Sequence, residues 1–319
     1  MSLRVLRLFT LFCLAIISSL PVAGQLDTEF WFAAPEVWAN HGDQPILLRF
    51  STLTEAAQVT VDQPANPNFP SQNLNIPANG TQTLDLTPWL DDIENKPFNT
   101  VLNQGLHITS DAPVTAYYEI NHPNNPDIFA LKGRSALGET FYVPFQNYLD
   151  NVYPESTAGI DIVATADGTE ITITPTTDLE GYAANIPFII ELNQGETVAL
   201  RAASVLAMSH PSGTLIESSA PSAVTVSDDS LFGAPFNPSG CYDIMGDQII
   251  PIEVAGTDHI AIKGNLGGPD KVFILGTEDN TSISINGTNV WTVDAGEMYA
   301  HTLNAPAAFY ETSAPVAVS

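Results

Sequence analysis

One phrase is written three times in this chain, and that repetition limits the folds open to it more than any other feature. "ITSDAPVTAYYEI" at 108–120 returns as "IESSAPSAVTVSD" at 216–228 and as "YETSAPVAVS" at 310–319. A second phrase, "VATADGTEITITPT" at 163–176, matches "LGTEDNTSISINGT" at 275–288, and a third, "LNQGETVAL" at 192–200, matches "VDAGEMYAH" at 293–301. Their order is kept, so a unit of about 100 residues recurs as a whole.

Each phrase reads as strand and turn. Glu170, Thr172 and Thr174 alternate with Ile171 and Ile173, which sends apolar groups to one face of a sheet and polar groups to the other. Asp167–Gly168 and Asp279–Asn280 tolerate positive φ and predict tight hairpins, as do 193–195 and 294–296. Pro113, Pro221 and Pro315 each follow an alanine and are expected at strand starts, where a missing N–H costs least. In the first copy strands are expected near 30–33, 46–51, 58–62, 74–76, 83–86, 106–109 and 114–120, with a helical turn or two at 88–94. Seven strands in about 100 residues is the density of a β-sandwich. A propeller, built from four-stranded blades, fits that number less well and stands as the alternative. The expected fold is therefore all-β, with tandem β-sandwich-like repeats at 25–135, 136–240 and 241–319. The third copy stops at Ser319 on its last expected strand, and the natural chain is expected to continue.

The first residues set the compartment. Arg4 and Arg7 precede an uncharged, mostly apolar stretch from Leu8 to Leu20, followed by Pro21, Val22, Ala23 and Gly24. This is the layout of a secretory signal peptide over 1–24, cleaved after Gly24. Its apolar core of about 13 residues is short against the ~20 that span a bilayer. Cys13 lacks the small neighbour of a lipoprotein site. Removing the leader takes away two of nine basic residues and none of the 36 acidic ones, so the net charge moves from −27 to −29. The remaining cations, Arg49, Lys96, Lys132, Arg134, Arg201, Lys263 and Lys271, are scattered, which makes nucleic acid and anionic lipid poor partners. The charge is read as solubility, with affinity for Ca²⁺ or cationic surfaces as the sharper alternative. Cys241 is the only cysteine after cleavage, so no internal disulfide is expected; it is read as a buried thiol, with pairing beyond Ser319 as the alternative.

Catalytic spacing is missing. No G-x-S-x-G occurs, and Gly133, Ser135 and Gly138 come nearest, one residue too long. Six histidines, at 41, 107, 122, 210, 259 and 301, form no i, i+4 pair and no zinc spacing. Asp228 and Asp229 with Asp243 and Asp247 are the one candidate Ca²⁺ loop, although the EF-hand pattern is absent and aspartate at strand ends is ordinary turn chemistry. No catalytic residue and no other cofactor is assigned. Among aromatics suited to contact, Trp38 with His41 lies in the loop "EVWANHGDQP", and Trp89, Tyr117, Tyr118, Tyr148 and Tyr153 are further candidates; Trp31 and Trp291 sit in strand-like runs and read as core. The loops at 64–73 and 121–127 are expected to carry recognition, because loops on a rigid scaffold do.

The phrases "TEFWFAAPE", "ITSDAPVTAYYEI", "ALGETFYVPF", "VATADGTEITIT", "LNQGETVAL", "IESSAPSAV" and "GDQIIPIE" together resemble the N-terminal domain of the IgGFc-binding protein family, over nearly all of residues 28–319. The resemblance rests on strand and hairpin phrases; none is catalytic, and none carries a residue-level binding motif. It implies extracellular adhesion or matrix binding, by analogy with a mucus-associated animal member and with large surface proteins of gliding bacteria, where adhesive repeats and a sorting signal commonly follow. The short leader and near absence of cysteine point to a bacterial member. The expected function is a secreted or cell-surface, non-catalytic adhesion module for an extracellular protein or glycan. A structural spacer of a larger surface protein is the alternative, and a secreted polysaccharide hydrolase the second.

Overall fold

The structure, a computed structural model, describes residues 25–233, 242–265 and 268–319. The leader and Cys241 lie outside the described residues. Seven strands form the first sheet system: β1 (Asp27–Phe32), β2 (Ile46–Thr52), β3 (Ala57–Asp62), β4 (Gln72–Ile76), β5 (Thr81–Asp85), β6 (Leu106–His122) and β7 (Asn125–Leu131). Their hydrogen-bonded order is β4-β3-β6-β2-β5, with β1 and β7 also on β6. Next come β8 (Gly138–Tyr142), β9 (Asp150–Asn151), β10 (Gly159–Ala164), β11 (Thr169–Thr174), β12 (Phe188–Leu192), β13 (Thr197–Arg201), β14 (Leu215–Phe232) and β15 (Asp243–Gln248). Here the order is β12-β11-β14-β10-β13, with β8, β9 and β15 on β14. The wiring of the first system is thus drawn again. Residues 243–248, which the sequence reading places in the third repeat, hydrogen-bond to the second system.

The last strands repeat the pattern with one break. β16 (Asp258–Ile262), β17 (Asp270–Gly276), β18 (Thr281–Ile285), β19 (Thr288–Val293), β20 (Met298–Leu303), β21 (Ala307–Thr312) and β22 (Val316–Val318) form two sheets, β16-β21-β18-β19 and β20-β17-β22. The break explains the repeated proline. Residues 107–110 of β6 pair with β3, whereas residues 114–120 pair with β2, so one long strand serves both layers of a sandwich. Likewise 215–218 of β14 pair with β11 and 222–227 with β10. Pro113 and Pro221 lie inside these strands, at the corner where the chain changes layer, and Pro315 lies between β21 and β22. Pro315, one residue before β22, stands at a strand start as expected, whereas Pro113 and Pro221 do not and mark the corner instead. A proline's absent N–H is tolerated there because the ladder is already broken at the corner.

Alternation fills the cores. Ile171 and Ile173 are fully buried while Glu170 points to solvent. Phe30, Phe50, Tyr118 and Phe129 lie in the first core, Phe141, Ile160, Ile162 and Leu200 in the second, and Ile274, Ile283 and Tyr310 in the third. Each such side chain contributes roughly 1.5–3 kcal/mol on burial. The hairpins close where expected, with Gly168 at φ +66° and Asn280 at φ +58°. Residues 88–94 form a 3₁₀ turn at Thr87–Trp89 and a short helix, α1 (Leu90–Ile93). No helix among the described residues is long and apolar enough to cross a membrane.

Successive units meet back to front. Trp31 of β1 and Ala33 just after it pack on Val163 and Ala223 of β10 and β14. Gly105 lies so close to Gly195 of the next unit that a Cβ on it would stand 2.6 Å from the Gly195 carbonyl oxygen; Gly213 meets Gly296 in the same way, at 2.1 Å. Only glycine permits that approach.

Candidate functional site

The far end of β14 breaks the alternation rule. Asp228, Asp229 and Ser230 are all buried there, at most 1% exposed. Burial without alternation already begins at Ser222, and a β-bulge lies at the end of that run: the register against β15 slips between Asp228 and Leu231, and Ser230 takes φ +52°. Bulges of this kind re-aim side chains beside functional surfaces. Asp229 Oδ1 accepts the Ser230 N–H at 2.6 Å, which holds the bulge.

Two sets of partners satisfy the two carboxylates. Asp228 accepts Nε2 of Gln146 at 3.0 Å and Nδ2 of Asn151 at 2.7 Å, and lies 3.2 Å from Nδ1 of the fully buried His210. The other ring nitrogen of His210 contacts Asn151 Oδ1 at 2.9 Å. Burial pushes the Asp228 carboxyl above its ordinary pKa, against the opposing pull of His210 and the two amides. Asp229 reaches into the first unit, where it accepts the Trp38 N–H at 3.0 Å and pairs with Nδ1 of His41. Burial disfavours the charged imidazole, but Asp229 outweighs it and raises the His41 pKa. Ser230 and Ser156 hydroxyls bond each other. Among the described residues no serine hydroxyl is hydrogen-bonded to a histidine.

Above this polar floor lies an apolar ledge. Trp38 packs on Tyr153 at 4.5 Å between ring centroids, Tyr153 on Tyr242 at 5.3 Å, and Tyr242 on Phe232 at 6.1 Å; the two tyrosine hydroxyls are 2.8 Å apart. Phe232 is paired to Asp150, and Asn151 donates its N–H to the Val205 carbonyl, which brings the 205–210 turn alongside. That turn leaves Leu206 exposed and Met208 78% exposed; Val152 and Phe232 (41%) are exposed as well. Four segments from two units are thus brought near one another over the bulge, whose base leaves only His41 Nε2 without a hydrogen-bond partner.

The sequence-chosen residues fall differently from expectation. Trp38 is half-buried on this ledge, but the side chain of His41 is 6% exposed and serves as a strut. Asp243 sits near His41, whereas Asp247 is tied to Lys132 at 2.5 Å. Among the described residues no group of three or more His, Cys, Asp or Glu is placed to hold a metal, and the four aspartates do not form one cage. The 121–127 segment is a hairpin, His122 pairing with Asn125, and β7 begins there. In the 64–73 loop Asn66 and Phe69 are buried, Phe69 packing on Trp89. Tyr118 is fully buried, Tyr117 bonds Gln25, and Tyr148 stands under Lys271 near a second cleft. Trp31 is core as expected; Trp291 is 52% exposed, because β19 is an edge strand and its ring stacks on Tyr299 at the rim. Phe232, Tyr242, Leu206 and Met208 were missed; the only signal was "DDSLF" at 228–232, where strand alternation lapses.

A cavity of about 440 Å³ lies between the second and third units, walled by Tyr142, Phe145, Phe273 and Val316 with Lys132 and Lys271 among its lining.

No curated protein matches the chain. Among solved structures, a β-glucuronidase of Bifidobacterium dentium complexed with coumarin-3-O-glucuronide is 12% identical, over 74% of this chain and 40% of that one, with a TM-score of 0.16. A β-glucuronidase from Ruminococcus gnavus is 11% identical over 74% of this chain and 36% of that one, TM-score 0.15, and a GH78 family rhamnosidase of Bacillus sp. GL1 is 10% identical over 92% and 53%, TM-score 0.16. This chain spans only about half or less of those chains, and at such TM-scores the likeness bears on neither fold nor activity. The family model described as IgGFc binding protein matches residues 128–319, more than half of the chain, and so takes in the β14 bulge and most of the ledge: the chain belongs to the IgGFc-binding family.

Proposed function

We propose that this protein is an exported, non-catalytic module that binds an extracellular protein through the ledge of Trp38, Tyr153, Phe232, Tyr242, Leu206 and Met208. The observation that carries the proposal is the exposed apolar surface itself, set on a bulge whose polar groups, His41 Nε2 apart, are already hydrogen-bonded. Aromatic and methionine side chains held on a rigid base supply contact area at low entropic cost, which is how hot spots are built. Acidic neighbours, Asp150, Glu155 and Asp243, favour a partner with a basic rim. The family membership supports protein binding, and the leader at 1–24 supports a site outside the cell.

The test is surface plasmon resonance over immobilised immunoglobulin Fc and over mucin. Phe232→Ala and Tyr153→Ala are each expected to weaken the binding partner's affinity at least about tenfold, the loss of a hot spot. Full affinity in both variants would move the contact elsewhere, and binding to neither ligand would leave the spacer reading in front. N-terminal sequencing of the exported protein should begin at Gln25.

A further inference from the structure

The repeated wiring gives each unit a front and a back. By pairing register, Trp31, Tyr142 and Ile260 are one position, each opposite the residue six before the shared proline: His107, Leu215 and Phe309. Two residues on, Ala33, Pro144 and Ile262 share the next outward position. These are backs. At the front, Ser51 opposite Thr115, Val163 opposite Ala223, and Leu275 opposite Ala317 are equivalent pairs.

Back meets front twice within the chain. Trp31 and Ala33 are buried on Val163 and Ala223. Tyr142 and Pro144 line the same cleft as Ala317, and Leu275 is fully buried. The two ends of the series differ. The first front is polar, Ser51 and Thr115 flanked by Arg49, whereas the last back is apolar and open: Ile260 is 71% and Ile262 78% exposed, with Phe309 beside them. In stacked repeats a polar outer face is a cap, and an apolar one is a joint.

We propose that the face of Ile260, Ile262 and Phe309 is a docking surface for one further β unit of this repeat type, one whose front carries an apolar pair of the Val163–Ala223 or Leu275–Ala317 kind. The chain's own front does not fit, because Ser51, Thr115 and Arg49 would lose water without gaining partners. Ala307 stands where Gly105 and Gly213 admit the neighbouring turn, so this joint seats its partner less closely than the two internal ones.

A chain with Ser51→Leu and Thr115→Ala carries a front of the third unit's kind and is its own probe. Sedimentation should show head-to-tail assembly, with at least about a doubling of weight-average mass over the wild type at equal concentration. Adding Ile260→Asp and Ile262→Asp should return the mass to the wild-type value, with circular dichroism unchanged. If the double front variant does not fold, Ser51→Val alone gives the same reading. The proposal is overturned if the front variants sediment as the wild type does, or if their assembly survives the aspartates. Wild-type self-association that the aspartates disperse would also overturn it, by placing a second copy's identical face there.

Discussion

His41 and Asp229 face each other across the junction of the first two units, both side chains almost wholly out of water. Truncating the histidine leaves a buried carboxylate with only the Trp38 and Ser230 backbone donors. His41→Ala is therefore expected to cost about 3 kcal/mol in denaturant melts, as for a buried pair that loses one member, and His41→Ala with Asp229→Asn should cost less than the single change. Equal cost in both would mean that the pair contributes nothing beyond packing. Sequence reasoning placed His41 in a loop and took it as a contact residue; its partner, 188 positions away, could not be inferred from local pattern.

At the scale of elements, two glycines separate two physical causes. Gly168 turns a hairpin at φ +66° with open space around its Cα, so Gly168→Ala costs only the left-handed backbone strain, about 1 kcal/mol. Gly213 lies at φ +84° and also against the Gly296 carbonyl, so Gly213→Ala must in addition push two units apart and should cost roughly 1–3 kcal/mol more. Thermal melts of the two variants read the difference directly. The turn at 168 was legible because Asp-Gly states its own conformation. The junction at 213 was not, since nothing near it in sequence names its neighbour.

For the whole molecule, the junction of the first two units sets the pH response. Asp161 on β10 is buried, and burial pushes its pKa up to about 8 despite the charge of Arg201 and a hydrogen bond from Asn95; burial likewise pushes Glu94 to about 7. Between ordinary carboxylate values and these, the native chain holds protons that the unfolded chain has released, so stability falls as pH rises through 7 and 8. The raised His41 acts in the same direction: its contribution is present in acid and lost as pH rises through its native pKa. Denaturation midpoints are expected to decline from pH 6 to pH 9, and Asp161→Asn should flatten that slope. A slope unchanged in the variant would remove Asp161 as the cause.

The all-β class, the hairpins and the threefold recurrence are written in the residues, because Ile and Val alternation and positive-φ turn residues act within a few positions of one another. The positions of six of the first unit's seven strands are legible too, although β6 reads as two strands and β7 is not seen. Long-range packing, in contrast, made the repeated proline a corner between layers, Asp228 and Asp229 struts, and Trp38, Tyr153, Phe232 and Tyr242 one surface. Those outcomes depend on contacts between segments far apart in the chain, and burial by a neighbouring unit leaves no period in the sequence it covers.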